Sequence, residues 1–277
     1  MSIRIQARLF VVGCPRSGTT LLQSMLAAHP QIVSFPESHF FRHLEPARWW
    51  PWLMGFTQRP LPPCVDRFLS EVGHPEWRNR FPRGPWPRWH WARAVTGLLD
   101  QLANERQAPI WIEKTPGHVF HIPVIQRLIP DAKFLHLIRD GREVVASLYH
   151  VGQQYPDAWP GQQDLDQCIN LWNRAVLSSR RFVTRSDHLV LQFETLLAQP
   201  EDVLRNLSKF LNIEFSPAMF EQRHGAIKTI VQSDEGWKDS ISATIDKDRP
   251  SRFQRLFDTK QQAYIRQRLV DASWIND

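Results

Sequence analysis

The sequence is poor in cysteine. Its three cysteines, Cys14, Cys64 and Cys168, are far apart, and no CxxC pair occurs. That scarcity speaks against a disulfide framework or a cysteine-based zinc site and favours a reducing compartment. No apolar run approaches the ~18 residues of a membrane-spanning helix, so stable membrane insertion is not expected. The opening stretch MSIRIQARLFVVG lacks the apolar core and cleavage site of a secretory signal, and a cytoplasmic protein is expected. Internal repeats and low-complexity runs are also missing. Neither sign of charge dominates: 34 basic and 28 acidic residues give +6. The excess favours anionic ligands in general, but it is too small and scattered to imply nucleic acid. Nothing in the pattern bears on oligomeric state.

What is present is an ordinary globular balance, 42% apolar and 22% charged, arranged as strands alternating with helices. Leu9 to Val12, QIVSF, IWIEK (Ile110–Lys114), KFLHLIR (Lys133–Arg139) and HLVLQF read as strands. Between them lie helical patterns: one ending near His29-Pro30, another within TPGHVFHIPVIQRLIP, one opening at DGREVVASLYH, and one around Leu165–Arg185. A strongly periodic stretch, PEDVLRNLSKFLNI, follows the last strand. This alternation predicts an α/β fold with a parallel sheet flanked by helices on both faces. A single domain over 1–277 is expected, with 42–108 as a cap-like insertion within it. Seven tryptophans crowd into that insertion: Trp49, Trp50, Trp52, Trp77, Trp86, Trp89 and Trp91. Two readings of it stay open, a well-packed helical insertion or a cap touching an acceptor substrate.

The stretch LFVVGCPRSGTTLLQSML has the layout strand, glycine-bounded loop, helix. GCPRSGTT follows the outline G-x-x-x-x-G-x-T of a phosphate-binding loop. Gly18 permits positive φ, and the loop amides with the following helix N-terminus face an anion. In nucleotide triphosphatases a lysine balances β/γ-phosphate charge and a threonine holds magnesium. Here Thr19 stands in the lysine's place, and the cation of the loop is Arg16, whose fork-shaped guanidinium suits phosphate without a metal. Ser17, Thr19 and Thr20 are hydroxyl-bearing neighbours. Arg139 closes the strongest strand, where open α/β sheets place ligand-binding groups, and Ser147 follows eight residues later inside a helix.

Together these elements resemble the sulfotransferase family, which uses 3′-phosphoadenosine 5′-phosphosulfate (PAPS) as sulfuryl donor. GCPRSGTTLL is similar to its 5′-phosphosulfate loop and FLHLIRDGREVVASL to its 3′-phosphate motif. LVLQFETLLAQPEDVLRNLSKFLNI is similar to its YEDL…P…FLG region, and WIEKTP to the KTP or KDP segment of the tyrosylprotein and bacterial branch. The Trp-rich insertion has no matching counterpart.

The resemblance implies an enzyme transferring a sulfuryl group to a hydroxyl acceptor (small molecule, sugar or peptide) with PAPS as cosubstrate and no metal. It implies Glu37, in SFPESHFF, as the base, with His39 as an alternative. Lys114 and Arg16 would stabilise charge at the sulfonate. Arg16, Ser17, Gly18, Thr19 and Thr20 would bind the 5′ end of the donor, and Arg139 and Ser147 its 3′-phosphate. Arg252, with Ser242 and Lys247, is a candidate nucleotide contact from the C-terminal region, and two readings of Arg142 stay open, a neighbour of the site or a cap on the sheet. His118 and His121 could share a helical face, but without partner ligands they read as packing or surface residues. Two other functions fit the loop alone: a P-loop small-molecule kinase, and a non-catalytic nucleotide-binding protein.

Overall fold

A computed structural model describes residues 3–44, 63–81, 87–223, 225–226 and 251–275. Trp49, Trp50, Trp52, Trp86, Ser242 and Lys247 lie outside the described residues.

The strands are β1 (Ala7–Gly13), β2 (Ile32–Ser34), β3 (Ile110–Lys114), β4 (Ala132–Ile138) and β5 (His188–Gln192). The helices are α1 (Thr19–Ala27), α2 (Pro63–Glu71), α3 (Arg88–Glu105), α4 (Ile122–Leu128), α5 (Gly141–Gln154) and α6 (Leu165–Arg180). After β5 come α7 (Phe193–Ala198), α8 (Pro200–Leu211), α9 (Ala218–Glu221), α10 (Arg252–Leu256) and α11 (Thr259–Arg268). The strands form one sheet in the order β2-β3-β1-β4-β5. β1 and β2 both pair parallel to β3. The expected α/β architecture, a parallel sheet flanked by helices, is therefore present. Among the described residues no helix is long and apolar enough to cross a membrane.

Two compact units emerge from the contacts: Met1–Val11 with Leu22–Phe134 and Ser216–Ser233, and Val12–Leu21 with Leu135–Phe215 and Asp234–Asp277. In the first, β1 is apolar on both faces because both are covered. Phe10 packs against Phe41, Trp111 and Phe134 with ring centroids 5.4–5.5 Å apart. The described part of the predicted insertion belongs to this core. Helix α3 buries Trp91, Val95, Leu98, Leu99 and Leu102, and the Trp91 indole donates to Phe40 O at 3.2 Å. Asp100 on the same helix accepts from Arg8 Nε (3.1 Å) and Nη2 (2.6 Å) on β1, and from Trp111 Nε1 (2.7 Å) on β3. Trp89, by contrast, is exposed and stacks on His90.

In the second unit, Trp172 of α6 packs where a Cβ on Gly141 would stand, 2.9 Å away, and donates to Arg139 O at 3.0 Å. Helix α6 ends at Arg180, earlier than the sequence pattern suggests. The chain turns there so that Phe182 can stack on His188, ring centroids 4.7 Å apart. Buried beside it, His136 Nε2 lies 2.8 Å from His188 Nδ1, and His136 Nδ1 lies 2.9 Å from Ser179 Oγ. Helix α8 turns Val203, Leu204, Leu207 and Leu211 inward and ends at Asn212 in the left-handed region, φ 57°.

Candidate active site

The loop between β1 and α1 is shaped by two glycines. A Cβ on Gly13 would sit 2.5 Å from Leu137 O, and one on Gly18 would sit 2.2 Å from the Phe193 ring. Gly18 also has φ +90°, which a side chain would resist. Arg16 itself takes φ 72°, a conformation of the kind that clusters at ligand clamps. Thr19 and Thr20 open α1 and are buried. The buried Ser17 hydroxyl has no hydrogen-bond partner among the described residues.

Arg16 converges with residues from elsewhere in its unit. Its Nε donates to Ser147 Oγ at 3.2 Å, and Arg252 Nη1 donates to the same oxygen at 3.1 Å. Arg139 Nη1 reaches Arg16 O at 3.4 Å, and its guanidinium lies over the Phe193 ring at 4.8 Å. The structure thus brings Arg16, Arg139, Ser147 and Arg252 together. Arg142 does not join them: it pairs with Asp140, the N-cap of α5.

Glu143 organises this cluster and was not singled out in the sequence. Its carboxylate accepts from Ser251 Oγ, Arg252 N (3.2 Å) and Phe253 N (3.4 Å), and lies 3.8 Å from Arg139. It thereby satisfies amides at the start of α10 and fixes Arg252 beside Ser147. The i,i+4 spacing of Arg139 and Glu143 was the signal available. His150, one turn beyond Ser147, was also missed; burial lowers its pKa, and the charges of Arg252 and Arg16 add to that.

The other cluster lies in the first unit. β3 runs to Lys114, opposite Val11 in the parallel register, and its side chain is fully buried. Lys114 Nζ donates to Glu37 Oε1. His39 Nε2 lies 3.9 Å from Glu37 Oε2, and the His39 backbone is left-handed at φ 53°. Desolvation lowers the His39 pKa against the opposing charge of Glu37. Glu37, His39 and Lys114, named separately from sequence, are neighbours.

Beneath them sits Glu113, 1% exposed. Burial pushes its carboxyl up, and hydrogen bonds from His118, Ser38 and Thr115 work the other way. His118, expected as a packing or surface residue, is buried with Nδ1 2.8 Å from Glu113 Oε2.

The cysteines Cys14, Cys64 and Cys168 are free thiols. Burial raises the pKa of each, to about 12 for Cys64 and Cys168, which makes them poor nucleophiles.

A glycine-bounded loop between β1 and α1 of a parallel sheet, carrying Arg16 and set beside Arg139 and Arg252, is the site of an α/β protein with the layout of an anion-binding fold. The chain belongs to the sulfotransferase family, whose profile matches residues 8–217. Protein-tyrosine sulfotransferase A of Caenorhabditis elegans is 26% identical over 211 residues, covering 74% of this chain and 50% of the relative. Protein-tyrosine sulfotransferase 1 of Danio rerio is 27% identical over 225 residues, covering 76% and 54%. The chain therefore spans about half the length of these two relatives. Among solved structures, the sulfotransferase domain of the Synechococcus olefin synthase matches with TM-score 0.64, 22% identity and 96% coverage of both chains. A mouse sulfotransferase complexed with PAP matches with TM-score 0.56 and 14% identity, covering 97% of this chain and 84% of that one.

Proposed function

We propose that this chain transfers a sulfuryl group from PAPS to a hydroxyl acceptor. The observation that carries the reading is the convergence of Arg16 and Arg252 on the Ser147 hydroxyl. Both guanidiniums donate to that oxygen, so its own O–H remains to be donated onward, and a phosphate is the natural recipient. A pocket of this kind selects a nucleotide with a 3′-phosphate. The glycine-shaped loop, with Ser17, Thr19 and Thr20, would take the 5′-phosphosulfate.

In this reading Glu37 removes the proton of the acceptor hydroxyl as its oxygen attacks sulfur. The bond from sulfur to the bridging oxygen of the 5′-phosphate breaks, and adenosine 3′,5′-bisphosphate (PAP) leaves. Lys114 and Arg16 balance the charge growing on the leaving oxygen and the sulfonate. The Lys114 contact keeps Glu37 ionised, which is the state a base requires. His39 is the alternative base. Since the named relatives are protein-tyrosine sulfotransferases, a tyrosine-containing peptide heads the list of acceptors, followed by phenols and sugars.

Calorimetry with PAP and with adenosine 5′-monophosphate, followed by mass-detected transfer from PAPS to this acceptor panel, is the test. Tighter binding of PAP together with a sulfated product is expected. Indifference to the 3′-phosphate would overturn the reading. Magnesium-dependent ATP consumption would favour a kinase, and PAP binding without turnover on any acceptor would favour a binding protein.

A further inference from the structure

We infer that Glu113 is a positioning residue, which sets the polarity of three hydrogen-bond relays and through them holds the loop that carries Glu37 and His39. This rests on the reading of Glu37 or His39 as the base.

Glu113 and Lys114 are consecutive on β3, so their side chains leave the strand on opposite faces. Lys114 meets Glu37 directly. Glu113 acts through intermediaries. Its Oε1 accepts from Ser38 Oγ at 2.7 Å and from Thr115 Oγ1 at 2.6 Å, and Oε2 lies 2.8 Å from His118 Nδ1. Each of those side chains in turn accepts a backbone amide of the loop. His39 N donates to Thr115 Oγ1 at 3.3 Å, Phe40 N to Ser38 Oγ at 3.3 Å, and Phe41 N to His118 Nε2 at 3.3 Å. Three consecutive amides, starting two residues after Glu37, thus end on one carboxylate.

The direction of every bond follows from the chemistry of that carboxylate. When ionised it only accepts, so both hydroxyls must point their protons at it and turn their lone pairs toward the amides. The same rule puts the imidazole proton on Nδ1. Because Phe41 N donates to Nε2, that nitrogen carries no proton, and His118 is a neutral Nδ1–H tautomer. A buried carboxylate is costly, and these three hydrogen bonds offset that cost. One relay also ends on the amide of His39 itself, whose backbone stands at φ 53°, a region uncommon for residues other than glycine.

A glutamine at this position is isosteric but presents an N–H₂ group. Facing His118, that group would force the proton to Nε2, and Phe41 N would lose its acceptor. The test is ¹⁵N-histidine NMR of the full chain, wild type and Glu113→Gln, together with kcat on PAPS and the Kd for PAP. The wild type is expected to show His118 as the neutral Nδ1–H tautomer, and Glu113→Gln to lose that signature. A kcat reduced ~10-fold or more is expected, since a loop shift of an ångström has costs of that order, with the PAP Kd unchanged within ~2-fold. Protonation of wild-type His118 at Nε2, or at both nitrogens, overturns the inference, as does an unchanged kcat in Glu113→Gln. Should Glu113→Gln not fold, Ser38→Ala and Thr115→Val cut two relays while keeping the buried carboxylate and its histidine. They must lower kcat at constant PAP affinity, and unchanged turnover in both refutes the role. The tautomer is read without turnover, so a wild type inactive with PAPS would sink the functional reading while the NMR result still decides the relays.

Discussion

The histidine pair between β4 and β5 should make this protein unusually sensitive to mild acid. His136 is buried against Ser179 and His188, and burial, with the neighbouring His188, pulls its pKa down to about 3. Burial likewise lowers His188 to about 4, against the opposing charge of Asp187. Both bases are therefore neutral in the folded protein, whereas in the unfolded chain they titrate near ~6.5. As pH falls below that value the unfolded state binds protons that the native state refuses, so stability is lost from about pH 7 downward toward the native pKa values. At pH 5 each histidine has forgone about 1.5 pH units of proton binding. At ~1.4 kcal/mol per unit this is about 2 kcal/mol each, or about 4 kcal/mol for the pair. That is a large part of a domain stability of about 5–15 kcal/mol. Urea unfolding at pH 7.5, 6 and 5 measures it. The double variant His136→Asn, His188→Asn will start less stable, because stacking on Phe182 is lost, but its stability should fall much less steeply with acid. Parallel loss in wild type and variant over this range would refute the reasoning, because the remaining histidines are common to both.

Arg252→Ala removes one of the two guanidiniums on Ser147. A charge-assisted bond of about 1.5–3 kcal/mol should be lost for PAP, at least ~10-fold in Kd, with adenosine 5′-monophosphate little affected in calorimetry. Lys114→Met should lower kcat by ~10²-fold or more at unchanged PAP affinity. It should also move the acid limb of kcat/KM to higher pH, since a cation next to Glu37 has gone. Gly18→Ala drives a methyl into the Phe193 ring at positive φ, so thermal denaturation should show a lower Tm by an amount matching ~2 kcal/mol or more, and PAP binding should weaken with it.

Much of the scaffold could be read from periodicity. All five strands lie within a residue or two of the apolar runs that announced them, because buried parallel strands need such runs. That Arg16, Arg139 and Ser147 would come together was legible from the two motifs that carry the family resemblance, one on a loop and one running from a strand end into a helix. Glu143 and Glu113 were not. A glutamate that receives amides from a segment more than 100 positions away shows locally only its i,i+4 spacing from Arg139, and Glu143 meets Arg252 only in three dimensions. His118 was read as a packing or surface residue and is buried, but its partner was hidden for a related reason: Glu113 lies five residues back on a strand, and helical spacing drew attention to His121 instead.

Asp100 has an implication for anyone trimming this protein. One carboxylate on the tryptophan-rich excursion neutralises the guanidinium of Arg8 and receives the indole proton of Trp111, in two adjacent strands. Excising residues 42–108 as though they were a detachable module would leave the Trp111 indole at the sheet without its acceptor and Arg8 with Asp131 as its remaining carboxylate partner. Shortened versions intended for crystallisation or acceptor swapping should keep the amphipathic rod from Arg88 to Glu105 and restrict their cuts to the chain that precedes it.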